Sequence, residues 1–269
     1  MDTRPPHAAG RFYPGDRATL AKEVRKMLVP ALNPAVAACG VMVPHAGYVY
    51  SGPVAGQTFA SITPPSVAIL LGPNHGGTGP AASLWNSGKW STPLGDAGVD
   101  SALALALSRV CGKLVPDRQP HLAEHSLEVQ VPFLLAINPG IKIVPILFRM
   151  ANLEMLREVG VAIASVIASI SPRPLLVAST DMNHFEPHDA TIEKDGPVLD
   201  AIMALDPEGM WKAVQKGRVS MCGVQPVAVM LEAVRRLGGK KARLIGHTTS
   251  GPVSGDFERT VGYAGIVFD

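Results

Sequence analysis

Short runs of β-branched and aliphatic residues alternate along this chain with longer segments of helical periodicity. That arrangement builds a mostly parallel or mixed sheet covered by helices on both faces, an α/β fold. The runs predict strands at residues 39–43, 67–72, 141–147, 175–179, 242–247 and 262–268, each apolar enough to be buried on both faces. Helices are predicted over 17–27, 100–110, 127–137, 153–170, 198–205, 207–215 and 224–237. Pro132 lies inside the 127–137 segment, where it removes a backbone bond and should kink or delay the helix. The glycine-rich stretch 74–98, with Trp85 and Trp90, reads as an excursion or hairpin over one end of the sheet. No repeat, low-complexity tract or linker divides the chain, so residues 1–269 are read as one domain.

Composition narrows the class. A hydrophobic content of 47% supports a core, and the longest apolar run, near 159–170, is too short to span a bilayer. The start, "MDTRPPHAAGRFYPGD", lacks the basic-then-apolar layout of a signal peptide, and the reading is a cytoplasmic protein with no membrane partner. A formal charge of +2, with basic residues scattered, offers no stripe to track a phosphate backbone, which argues against nucleic acid. Three cysteines at no zinc-finger spacing disfavour a disulfide framework.

In open α/β sheets the binding crevice lies beyond the carboxyl ends of the strands. Three predicted strands end in histidine-bearing turns: "PHAGY" with His45, "GPNHGG" with His75, and "STDMNH" with Asp181 and His184. One histidine beside a glycine is often only a turn residue, but three arriving at one sheet edge point to a metal or catalytic site. Cys222 precedes the helix expected at 224, where unpaired N–H groups favour a thiolate. Cys39 and Cys111 read as small hydrophobes, and His7, His121, His188 and His247 receive no role.

His45, His75 and Cys222 would form a three-point cap with open positions, as in the facial triad of non-haem iron oxygenases, with a thiolate as the anion. Iron is the first expectation for the metal, with copper or zinc as alternatives. A blue-copper site is disfavoured because Met221 adjoins Cys222, and a zinc hydrolase because no H-E-x-x-H helix is present. His184 and Asp181 remain as base and proton-sharing partner; His125 with Glu128 is read as an outer contact to the metal ligands or to substrate.

The motifs "RPPHAAGRFYPGD", "VPHAGYVYSGPVAG", "LGPNHGG", "EHSLEVQVPFL", "STDMNHF" and "MCGVQPV" appear in order. With them the chain resembles the MEMO family, whose prokaryotic members are called AmmeMemoRadiSam system protein B. The resemblance implies a fold like the LigB-type class III extradiol dioxygenases. It also implies metal positions at His45, His75 and Cys222, the cysteine replacing a glutamate, with Asp181 and His184 lining the site and Tyr48 and Tyr50 at its mouth. Asn74 stands where many relatives have serine, flanking a ligand. By the same resemblance the expected partners are a radical SAM protein and an AMMECR-type protein. The expected activity is redox or dioxygenase-like, on a small or peptide-borne substrate. The alternative is a binding module that holds a peptide or partner protein in the former crevice, with Tyr48, Tyr50, Trp85 and Trp90 supplying aromatic contacts.

Overall fold

A computed structural model describes residues 3–32 and 34–269. Its centre is five parallel strands in the spatial order Gly95–Val99, Lys142–Phe148, Val67–Pro73, Leu175–Ser179 and Gly40–Val43. Antiparallel strands widen this into one 12-stranded mixed sheet: Lys89–Thr92 beside Gly95–Val99, and Thr260–Phe268 beside Gly40–Val43. The apolar runs within Val67–Pro73, Lys142–Phe148 and Leu175–Ser179 are buried on both faces because helices cover each side. One apolar layer holds the helices Ser101–Val110, Leu153–Ile167, His188–Met203, Pro207–Gly217 and Val224–Arg236; the other holds Arg17–Met27, Tyr48–Ala60 and Val131–Ile137. Side-chain caps start several of these, with Asp16 accepting from Thr19 N and Asn152 from Met155 N. Among the described residues no helix is long and apolar enough to cross a membrane.

The α/β class and the main buried strands are as expected; several elements differ, each for a physical reason. The helix Tyr48–Ala60 was not foreseen, and His188–Met203 begins well before residue 198. Each contains an internal proline, Pro53 or Pro197, on an exposed face where water can take the carbonyl that proline leaves unpaired. Gly56 lets the first of these helices press against Arg17–Met27: a Cβ there would lie 2.5 Å from the Met27 carbonyl oxygen. Ala242–Thr249 is not buried on both faces but is a half-exposed edge strand, paired among the described residues with Thr260–Phe268 alone. The 74–98 stretch does not lie over an end of the sheet. Its hairpin, Lys89–Thr92 with Gly95–Val99, joins the sheet edge, and Trp85 and Trp90 are buried. Pro132 sits in the first turn of Val131–Ile137, after a 3-10 turn at Glu128–Gln130, so it delays the helix.

Candidate metal centre

His45 follows the Gly40–Val43 strand, His75 follows Val67–Pro73 and Asp181 lies just beyond Leu175–Ser179, so adjacent parallel strands deliver them to one sheet end. His125 arrives from the irregular segment before the 3-10 turn. The nitrogen donors of His45, His75 and His125 lie within 4.8 Å of one another. The His75 and His125 rings stack at 4.8 Å, and His45 meets both edge-on at 5.3 and 5.5 Å.

Hydrogen bonds set the tautomer of His45. The Ser179 hydroxyl donates to the Ser126 carbonyl at 2.7 Å, so it accepts from Gln130 Nε2 at 3.0 Å and from His45 Nδ1 at 2.9 Å. Nδ1 therefore carries the proton, and the Nε2 lone pair faces the cluster, 3.3 Å from Cys222 Sγ. Burial, reinforced by His75, lowers the His45 pKa to about 3, so the ring is a neutral donor.

His75 is held by Glu124, whose carboxylate accepts the His75 backbone N–H at 2.6 Å, its Nδ1 at 2.9 Å and the Ser126 N–H at 2.9 Å. Burial works to raise the Glu124 pKa, but the His75 hydrogen bond and charge bring it down to about 2. The carboxylate in turn lifts His75 above its ordinary value against the downward effect of burial. Glu124 also lies 3.4 Å from His125 Nδ1, while burial and the His45 ring lower His125 to about 4. Carboxylates behind ligating histidines orient the ring and strengthen the donor. Glu124→Gln is therefore expected to weaken cobalt(II) binding about 10–100-fold without altering the far-UV circular dichroism. Unchanged affinity by chelator competition would show that the carboxylate does not set His75.

Asp181 is buried and accepts the His45 N–H at 2.7 Å. Burial raises its carboxyl above the ordinary value. Cys222 sits at the start of the Val224–Arg236 helix, accepting from Asp181 N at 3.2 Å. Contrary to the thiolate expected at a helix start, burial and the Asp181 charge push this thiol up. A bound cation reverses that balance, because a coordinating thiol is deprotonated. Gly223 allows the close seating of this turn: a Cβ there would lie 2.6 Å from the Ser179 carbonyl oxygen. His184 donates Nδ1–H to the Ser220 carbonyl at 2.8 Å, so in the neutral ring Nε2 is the acceptor.

Other predicted residues lie elsewhere. Tyr48 is not at a mouth; it is buried, donates to the Val129 carbonyl at 2.6 Å and packs on Phe133. Tyr50, two residues further along the same helix, is exposed. Glu128 does not pair with His125; it faces away and binds Arg4 at 2.6 Å. Asn74 folds the glycine turn after His75, accepting from Gly77 N and donating to the Thr78 carbonyl. The residues that hold the histidines, Glu124, Ser126, Ser179 and Gln130, were not singled out, nor were Phe12, stacked on His125 at 4.2 Å, and Tyr263, buried within reach of the Asp181 charge. Glu124 stands beside His125 in sequence, a signal too common among surface residues to use alone.

The chain matches the Memo-like protein family over residues 4–267. It belongs to the Memo-like family. Similar relatives include a MEMO1 family protein of Methanopyrus kandleri, 42% identical over 98% of this chain and 98% of its own length. Another, from Methanothermobacter thermautotrophicus, is 39% identical over 97% and 98%. Among solved structures, an uncharacterized protein of Escherichia coli K12 shares the fold at a TM-score of 0.54 and 13% identity, covering 84% of this chain and 98% of that one. In this Memo-like chain the three-imidazole cluster has the donor chemistry of a metal site, with borderline nitrogen donors and a sulfur beside them.

Proposed function

We propose that this Memo-like protein is a non-haem metal protein whose ion is held by His45 and His75, with His125 and Cys222 as the neighbouring donors. The observation that carries this reading is the convergence of three imidazole donors within 4.8 Å, with the Nδ1 of His45 and His75 each bonded to its own partner. His125 completes a nitrogen cap, and Cys222 Sγ, 3.3 Å from His45 Nε2, offers a thiolate once a cation displaces its proton. Imidazole nitrogen and thiolate sulfur accept iron, copper or zinc, and the resemblance to the extradiol dioxygenase fold puts iron first. Bound iron or copper would supply oxygen-dependent redox chemistry on a small or peptide-borne substrate.

The chain's own residues supply the proton handling. His184, with Nε2 outside its bond to Ser220, is the acid–base, and Asp181, whose carboxyl burial raises above its ordinary value, shares the proton. The resemblance to AmmeMemoRadiSam system protein B supports a cytoplasmic role beside a radical SAM protein and an AMMECR-type protein. A second reading, a peptide-binding module, loses the buried Tyr48, Trp85 and Trp90 as contacts and keeps the exposed Tyr50; partner binding that survives a chelator would favour it.

Cobalt(II) titration of metal-free protein is the test. About one ion per chain is expected from the one cluster among the described residues, with a thiolate-to-cobalt absorption band that Cys222→Ser removes. Failure to bind cobalt would overturn the reading; binding with a spectrum indifferent to Cys222→Ser would restrict the donors to the histidines.

A further inference from the structure

We infer that the amino-terminal segment from Arg4 to Tyr13 is a positioning strap for the histidine centre, anchored by Arg4 and touching the centre through Phe12. The inference rests on the metal reading above, but its geometry is independent of any ion.

Arg4 is fully buried at the sheet edge, in the two-residue strand Thr3–Arg4. Its guanidinium donates in three directions: Nε to the His121 carbonyl at 2.7 Å, one terminal nitrogen to the Glu124 carbonyl at 2.7 Å, and the other to Glu128 at 2.6 Å. Its face lies on Trp90 at 4.3 Å. The three acceptors bracket the irregular segment that supplies Glu124, which holds His75, and His125 itself: His121 ends the 3-10 turn before it, Glu124 lies within it and Glu128 opens the 3-10 turn after it. An irregular segment has no ladder of its own to fix it, so a rigid fork reaching across the chain does that work.

Glu128 closes the clasp from the other side. Besides Arg4 it accepts from His7 N at 2.9 Å, Ala8 N at 2.7 Å and Tyr13 OH at 2.7 Å, which pins both ends of the loop bearing Phe12. Phe12 then stacks on His125 at 4.2 Å and 22°, the outer layer of a three-ring stack that continues to His75. Its carbonyl accepts Tyr48 N at 2.7 Å, the first residue of the helix that follows His45. One strap therefore bears on all three imidazoles without being a ligand.

The test uses the full chain with Arg4→Lys, Phe12→Ala and Phe12→Tyr, and two readouts at a temperature where each is folded. Lysine keeps the charge but lacks the fork, so Arg4→Lys is expected to lose about tenfold in cobalt(II) affinity. Phe12→Ala should lose a similar factor, and Phe12→Tyr should restore it. In metal-free protein the His125 Cε1 proton, shielded by the Phe12 ring, should move downfield in Arg4→Lys as well as in Phe12→Ala. A folded Arg4→Lys with only a lowered melting temperature, wild-type affinity and an unmoved His125 resonance would overturn the inference. Should Arg4→Lys fail to fold, wild-type affinity and resonance in Phe12→Ala would overturn it equally. If wild type takes up no cobalt but the resonance moves in Arg4→Lys, the metal reading falls and the positioning role stands.

Discussion

Glu128→Ala is expected to lower the unfolding free energy by about 3–5 kcal/mol, the range for breaking a buried ion pair by removing one partner. Arg4 and Glu128 are both essentially inaccessible, and the carboxylate is the acceptor for two backbone N–H groups and the Tyr13 hydroxyl as well. Alanine leaves a buried guanidinium without its counter-charge and those donors without their acceptor, and both losses are contained in that range. The double variant Arg4→Met with Glu128→Met separates the two contributions. It removes the uncompensated charge, so it should recover part of the loss, but His7 N and Ala8 N still lack an acceptor. Urea unfolding of the wild type, Glu128→Ala and the double variant is the measurement. An unchanged midpoint in Glu128→Ala would mean that water already satisfies these groups.

That expectation depends on contacts between residues more than a hundred positions apart, which is why it was illegible in the sequence. Strands such as Val67–Pro73 and Leu175–Ser179 announce themselves because burial on both faces demands an unbroken apolar run. Their ends, and so His45, His75 and Asp181, were readable for the same reason. Gly95–Val99 was missed because a short, glycine-containing strand carries no such run, although it belongs to the parallel core. Two helical stretches carry internal prolines that obscure their pattern, Pro53 and Pro197, each on an exposed helix face.

The site divides in the same way. Residues at strand ends were legible, whereas those that orient them were not, because Glu124 and Gln130 gain their meaning only when Arg4 and Ser179 reach them. Trp85 and Trp90 illustrate the reverse error. Aromatics in a glycine-rich stretch suggest a contact surface, but the two indoles pack at 5.9 Å from each other and from His121, and Trp90 takes the Arg4 cation on its face. The chemistry-bearing groups are thus set by topology, and their tautomers and charges by long-range partners that a single chain read in order does not reveal.

Acid should destabilise the metal-free protein steeply between pH 6.5 and about 4.5. His45 and His121 are depressed to about 3 and His125 to about 4, chiefly by burial. A histidine whose folded pKa lies below its unfolded value of 6.5 binds a proton first in the unfolded chain. Its contribution is therefore intact above 6.5 and is lost as pH falls towards the folded value. Each such group adds a slope of about 1.4 kcal/mol per pH unit, so three give about 4 kcal/mol per unit. His75, raised by Glu124 against burial, acts in the opposite sense and only above 6.5; Glu124, depressed to about 2, adds its own loss only below 4.5. His121→Phe isolates one proton away from the proposed ligands. Its ring lies among Trp85, Trp90 and Arg4 with neither nitrogen bonded, so phenylalanine fits the same aromatic surroundings. Denaturant unfolding across this pH window should show about one third of the slope removed, with cobalt(II) affinity at neutral pH unchanged. An identical slope would mean that His121 takes its proton in the fold at no cost, which a ring pressed towards a buried arginine can do only if the surrounding packing gives way.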